Sequence, residues 1–350
     1  MEHMNTQEAL IPVHLVSGFL GSGKTTLLQR LLQHAQESGK RAAVVMNEIG
    51  EVNLDGQLVD EGIPMSEMLS GCICCTIRSD LSLEIKALVE DHKPELIFIE
   101  ATGAANPLEI VDGVTEASMF APIELRTLIT VVDGPEVLKR SRQGGRTLKL
   151  MREQVRCASQ LLLNKIDLLE PQDIVEVEQL IREWNAVAPL TATRSCIIDP
   201  DRLLGSSDEP LLRPALTPEL EGAQGTSSPD SGHADHVHHY PGDTPHAHES
   251  HAHVMVLTHY FRGPVDSEAF EALLGRLPEN VYRAKGIVTF RDTKSRYMFQ
   301  FAFRESDFVP IRPQGEVHDV AVFIGEHFAK DRLKEQLEAL ESGAHQENNG

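Results

Sequence analysis

Short apolar runs recur along the first two hundred residues: V-H-L-V-S (13–17), A-A-V-V-M (42–46), L-I-F-I-E (96–100), L-I-T-V-V-D (128–133) and Q-L-L-L-N (160–164). Each is too short for a helix and rich in Val, Ile and Leu, as strands buried on both faces require. The longer stretches between them carry apolar residues at helical spacing, such as Leu27, Leu28, Leu31 and Leu32 within 25–34. Strand and helix alternating in this way predict an α/β fold, a doubly wound and mostly parallel sheet covered by helices.

The pattern stops near Asp199. From there to His253 Pro, Gly, Ser, Asp and His dominate, and no apolar period survives. Such a segment reads as a flexible linker, too polar to bury a core. Alternation returns in V-M-V-L-T-H-Y-F (254–261), followed by a helix over about 266–277 and strand-like runs at 286–290, 297–303 and 319–325. A helix near 330–341 and a polar tail complete the chain. The expected division is one domain over 1–198, a His-rich linker over 199–253, a smaller α+β domain over 254–342 and a tail over 343–350.

Charge and composition narrow the partners. A net charge of −21 argues against nucleic acid, whose phosphates attract Lys and Arg. No apolar run approaches the roughly 18 residues of a membrane span, and the first ten residues lack the character of a signal peptide. The expected location is the cytoplasm. Five cysteines in 350 residues do not make a disulfide framework. Three of them, Cys72, Cys74 and Cys75, crowd into four positions, which in a reducing compartment points to metal or redox chemistry.

Gly18-Phe19-Leu20-Gly21-Ser22-Gly23-Lys24-Thr25 matches the phosphate-binding G-x-x-x-x-G-K-[ST] pattern, between an expected strand and an expected helix that begins with Thr26 close behind. Backbone N–H groups of such a loop wrap a phosphate at a helix N-terminus. Lys24 would hold the β- and γ-phosphates as a catalytic cation, and Thr25 would give a hydroxyl to Mg²⁺. Glu100, at the end of L-I-F-I-E, is the matching acid for Mg²⁺, and Gly103 offers an amide to the γ-phosphate. Asn164-Lys165-Ile166-Asp167 ends another strand. The Asp167 carboxylate can accept from two N–H groups of guanine, with Asn164 and Lys165 completing a base pocket, so GTP is favoured over ATP.

Three thiolates at this density suit Zn²⁺ or another soft or borderline ion. A local shell of at most three ligands is incomplete, which suits transfer better than permanent structure. A structural cluster and a redox pair stay open as alternatives. Between loop and thiols lies Asn47-Glu48-Ile49-Gly50-Glu51-Val52-Asn53-Leu54-Asp55, a candidate switch loop, with the plain polar loop as its alternative. Glu48 and Asp55 are candidates to position water, and Glu51 is a candidate extra metal ligand. His233, His236, His238, His239, His246, His248, His251 and His253 form an accessory metal-capture tract, or else a solvated linker. His14 and His34 fall in strand and helix patterns and read as structural.

The motifs G-F-L-G-S-G-K-T-T, N-E-I-G-E-V-N-L-D, G-C-I-C-C-T-I-R-S-D-L, I-E-A-T-G-A-A-N-P and N-K-I-D, in this order, resemble those of the CobW-type metallochaperone GTPases. R-A-K-G-I (283–287) and V-F-I-G (322–325) are similar to that family's C-terminal domain. The resemblance implies GTP hydrolysis coupled to delivery of a metal to a client apo-metalloprotein. It implies Cys72, Cys74 and Cys75 as ligands, Lys24, Thr25 and Glu100 at phosphate and Mg²⁺, and Asn164 and Asp167 at guanine. Ile49 replaces the family's usual Phe, and Met46 stands where some members carry an acid. Zn²⁺ is the expected cargo, with Co²⁺ open. The alternatives are a cobalt chaperone linked to cobalamin biosynthesis, a metal buffer or sensor tuned by GTP, and a P-loop kinase, which N-K-I-D disfavours. A homodimer is left open.

Overall fold

A computed structural model describes residues 10–46, 65–67, 76–205, 254–293, 295–313 and 315–342. The first half builds one sheet from β1 (Ile11–Ser17), β2 (Ala42–Met46), β3 (Met65–Glu67), β4 (Leu96–Glu100), β5 (Ile123–Asp133), β6 (Gln160–Asn164) and β7 (Leu190–Ala192). Their order across the sheet is β3-β2-β4-β1-β5-β6-β7, and every neighbouring pair is parallel. The helices that connect them are α1 (Lys24–Glu37), α2 (Thr76–His92), α3 (Pro107–Ala117), α4 (Gly134–Gln143), α5 (Arg146–Cys157) and α6 (Pro171–Trp184).

The continuous apolar runs are divided by the two-residue period of a strand. Val13 and Leu15 of β1, Ala43 and Val45 of β2, and Ile97 and Ile99 of β4 belong to one core, beside Leu81 and Ile85 of α2 and Ile110 and Val114 of α3. Val16, Val44 and Phe98 face the other side, where Leu27, Leu28, Leu31 and Leu32 of α1 cover them. Burial on both faces is what selects unbroken Val, Ile and Leu. Leu27, Leu28 and Leu31, wholly removed from water, contribute about 2 kcal/mol each.

Two histidines serve this scaffold. His14, inside β1, places Nδ1 2.8 Å from Thr127 Oγ1. Burial, with the charges of Arg126 and Lys40 adding to it, lowers its pKa to about 3, so the ring is neutral. His34 of α1 pairs with Asp201 at 3.0 Å. Asp201 belongs to α7 (Pro200–Leu204), a short helix in the segment expected to be linker from residue 199. Leu203 explains the difference: it is buried against the α1 side of the sheet, so one apolar side chain extends the packed structure past Asp199.

The second sheet contains β8 (Val254–Tyr260), β9 (Val281–Thr289), β10 (Arg296–Ala302), β11 (Glu305–Ile311) and β12 (Val320–Glu326), in the order β11-β10-β9-β12-β8 and antiparallel throughout. One face packs Phe270 of α8 (Ser267–Gly275) and Leu333 and Leu337 of α9 (Lys330–Ser342) against Phe299, Phe301 and Phe323. Val254, Ile287, Val320, Val322 and Ile324 instead join the core that holds α2 and α3. Arg283 pairs with Asp112 of α3 at 2.7 Å and Lys285 with Glu116 at 3.4 Å. The Tyr260 hydroxyl lies 3.1, 2.9 and 2.8 Å from the carbonyls of Ser118, Ala121 and Ile123, and accepts the Ile123 N–H at 3.0 Å. Among the described residues no helix is long and apolar enough to cross a membrane.

Candidate nucleotide-binding site

Parallel strands place all their C-terminal ends on one edge, and that edge is where open α/β sheets bind ligands. Here it collects Ser17, Glu100, Asp133 and Asn164 from four adjacent strands. Across the sheet Glu100 is level with both Val16 and Met46, and Asp133 with Asn164.

The loop from Gly18 to Gly23 leaves β1 at this edge and turns into α1. Three of its glycines have backbone angles that a side chain would strain, with φ of 138° at Gly18, 73° at Gly21 and 110° at Gly23. A Cβ at Gly23 would also lie 2.6 Å from Asn164 Nδ2 and 3.1 Å from Cys196 Sγ. Lys24, the first residue of α1, is buried, and its Nζ donates to Phe19 O at 3.4 Å. Ser17 Oγ and Ser22 Oγ are buried without a hydrogen bond. A loop that leaves buried hydroxyls unsatisfied, with a cation turned onto its own carbonyl, suits a polyanion.

Thr25 Oγ1 donates to Glu100 Oε1 at 3.0 Å. A hydroxyl and a carboxylate at this separation offer the hard oxygen donors that Mg²⁺ takes. Next to them, Gly103 packs directly on the loop, where a Cβ would lie 2.5 Å from Leu20 N. Glycine is needed here for space.

Toward β6 the groups are bonded to one another. Asn164, 2% exposed, donates from Nδ2 to Ser22 O at 2.8 Å and accepts from Cys196 N at 3.0 Å. Its side chain is therefore a strut beneath the loop. Lys165 has a left-handed φ of 62° and sends Nζ to Asp133 Oδ2 at 2.6 Å. The other Asp133 oxygen caps α4 by accepting from Glu136 N at 3.0 Å. Asp167 follows in a single 3-10 turn, Ile166–Leu168, with its carboxylate exposed.

Three residues at this edge escaped sequence reasoning. Asp133 had a visible signal, an acid ending an apolar run. Cys196 had none; it is buried, has φ 54°, and donates Sγ–H to Gly23 O at 3.3 Å. Burial pushes its pKa up to about 11, so it is a neutral thiol that fills space. Gln154 of α5 is also buried and reaches the Gly103 backbone.

Cys72, Cys74, Cys75, Glu48, Glu51, Asp55 and the histidines His233, His236, His238, His239, His246, His248, His251 and His253 lie outside the described residues. The chain enters the segment of the thiols from Glu67, which pairs with Met46, and leaves it at Thr76. Met46 is itself level with Glu100. Among the described residues no group of three or more His, Cys, Asp or Glu is placed to hold a metal.

Residues 12–192 match the family model described as CobW/HypB/UreG, nucleotide-binding domain, and residues 254–341 match that of the cobalamin synthesis protein cobW C-terminal domain. The zinc-regulated GTPase metalloprotein activator 1 of Dictyostelium discoideum is 32% identical over 233 residues, covering 56% of this chain and 48% of its own. The zinc chaperone YeiR of Escherichia coli is 35% identical over 173 residues, covering 49% and 50%. The chain thus spans about half the length of the curated relatives it matches. The Zn(II)-bound YjiA GTPase of E. coli aligns over 95% of this chain and 99% of its own at 23% identity and a TM-score of 0.43, a likeness too loose to carry function. With just over half its length matched by the nucleotide-binding domain model alone, the chain belongs to the CobW/HypB/UreG family.

Proposed function

We propose that this protein is a GTPase metallochaperone: it hydrolyses GTP, and its nucleotide state governs a thiolate site that hands Zn²⁺ to a client apo-metalloprotein. The observation that carries the nucleotide half is the Thr25–Glu100 pair, 3.0 Å apart, beside a glycine loop with unsatisfied buried hydroxyls. In this reading Gly18 to Thr26 wrap the phosphates, and Lys24 leaves Phe19 O to meet the β- and γ-oxygens. Thr25 and Glu100 would hold Mg²⁺. When bound, Mg²⁺ neutralises charge that develops on the phosphate oxygens. The Gly103 amide faces the γ-phosphate. Lys165 lays its stem along the base, and Asp167 accepts from the two N–H groups on the guanine edge. Glu48 or Asp55 orients the attacking water.

Cys72, Cys74 and Cys75 bind the cargo ion, with Glu51 as a further ligand and the eight histidines of 233–253 as a loose capture tract. Relatives named for zinc support Zn²⁺ over Co²⁺ as cargo. A reducing compartment such as the cytoplasm keeps the thiols available. The strand pairing supports coupling of the two halves, because the thiol segment leaves β3 at Glu67, level with Met46, and Met46 is level with Glu100.

The test is Zn²⁺ affinity with GTP analogue, GDP or no nucleotide, in the wild type and in Cys74→Ala. The expected outcome is a wild-type affinity that changes at least tenfold, about 1.4 kcal/mol, between GTP and GDP, and a variant that has lost this site. Equal wild-type affinity in all three states would sink the coupled mechanism.

A further inference from the structure

Gln154 is a buried amide on the inner face of α5, 1% exposed. Its Nε2 donates to Gly103 O at 3.1 Å and to Ala105 O at 3.4 Å. Its own backbone carbonyl accepts from Thr130 Oγ1 on β5 at 2.9 Å, which pins that turn of α5 to the sheet. The loop it holds, residues 101–106, is short and fixed at both ends. Ala101 N donates to Val16 O at 2.9 Å, and Asn106 caps α3 by accepting from Leu108 N at 3.1 Å. On its far side the loop presses on the phosphate loop, since a Cβ at Gly103 would lie 2.9 Å from Leu20 Cα. A chain of direct contacts therefore runs from α5 through Gln154 and Gly103 to Leu20.

A buried amide demands hydrogen bonds wherever it sits, and a purely structural glutamine would satisfy that demand. The choice of partners is what points further. Both acceptors are carbonyls of the one loop that borders the Thr25–Glu100 pair. We propose that Gln154 is a positioning residue for the γ-phosphate. By holding the Gly103 and Ala105 carbonyls, it keeps the Gly103 backbone seated against Leu20, so that the third phosphate of GTP meets a preset amide and GDP does not use it. Gln154 does not touch nucleotide; it acts through Gly103. The inference deepens the proposed GTPase reading and rests on it.

The experiment compares wild type, Gln154→Met and Gly103→Ala. Methionine keeps the volume and removes the donor, while alanine pushes the same loop off Leu20 from the opposite side. Fluorescent GDP and a fluorescent non-hydrolysable GTP analogue are titrated separately, and kcat and KM for GTP are measured alongside thermal unfolding. Gln154→Met should bind GDP within about twofold of wild type, yet lose preference for the GTP analogue and kcat by about tenfold, the scale of one or two hydrogen bonds, and Gly103→Ala should lose the same preference.

A Gln154→Met protein that is less stable but keeps wild-type preference and kcat makes the residue structural, and the proposal fails. If that variant does not fold, Gly103→Ala and hydrogen exchange of loop 101–106 in the wild type decide. Unchanged preference in Gly103→Ala, or equal loop protection with GDP and GTP analogue, overturns the proposal. A wild type that binds no guanine nucleotide overturns the underlying reading as well, which separates the two failures.

Discussion

Two parts of the same loop are held in opposite ways. At its β6 side Asn164 spends its amide on Ser22 O and Cys196 N, and Lys165 is locked to Asp133 at 2.6 Å. At its α1 side Lys24 reaches Phe19 O at a long 3.4 Å, and Ser22 Oγ is buried with no hydrogen bond. The first side is assembled by the protein alone. The second holds polar capacity in reserve, which is unfavourable in a resting fold and favourable once a polyanion fills it. The difference teaches that the β6 side is built for shape and the α1 side for charge.

The largest test of that contrast is Lys24→Ala. It should leave the melting temperature near wild type and lower kcat for GTP by about a thousandfold, or ~4 kcal/mol of barrier. Asn164→Ala should behave in the opposite sense. It strips partners from a buried carbonyl and a buried amide, so urea unfolding should show a loss of about 3 kcal/mol. A stable Asn164→Ala protein would break the claim that this end is prebuilt. Asp167→Asn, at an exposed carboxylate, should keep stability and weaken GTP binding by about 2 kcal/mol, the worth of hydrogen bonds to a charged group. Calorimetric titration reads this directly.

The smallest effect is a control in the scaffold. Burial lowers the His14 pKa from the ordinary imidazole value of 6.5 to about 3 in the folded protein. Between those values the unfolded chain takes up a proton that the folded chain refuses, so stability falls as pH falls through that window. The slope is at most ~1.4 kcal/mol per pH unit. His14→Gln should flatten the fall in urea-measured stability between pH 7 and pH 5, with nucleotide affinity at pH 7 unchanged.

What could be read from the sequence was chemistry carried by neighbours in the chain. The glycine loop needs its residues in a row, and the apolar runs of β1, β2, β4 and β6 mark strands because both faces are covered. Elements with weaker local signals were shortened or missed. β5 begins at Ile123, five residues before its apolar run, because Glu124 and Arg126 alternate with buried Ile123 and Leu125. β11, with Glu305, Asp307 and Pro310, reads as loop, and it can be a strand because it lies at a sheet edge where proline is tolerated. Within the site, Cys196 and Gln154 were illegible for another reason. Each acts on residues more than forty positions away, Cys196 on Gly23 and Gln154 on Gly103, and no local pattern announces such a partner.

The Tyr260 hydroxyl has a consequence for the order in which the chain folds. Burial raises its pKa, so it carries one proton among three carbonyls, two in the turn before β5 and the third on its first residue. That turn is complete some 140 residues before Tyr260 is synthesised. Until β8 arrives, the turn closes on its own Ile123 N–H to Ala121 O bond at 2.8 Å, and the carbonyls of Ser118 and Ile123 lack the phenol that later sits among them. The nucleotide-binding half therefore reaches its final state only after the second sheet has been made, and the two should melt in a single transition.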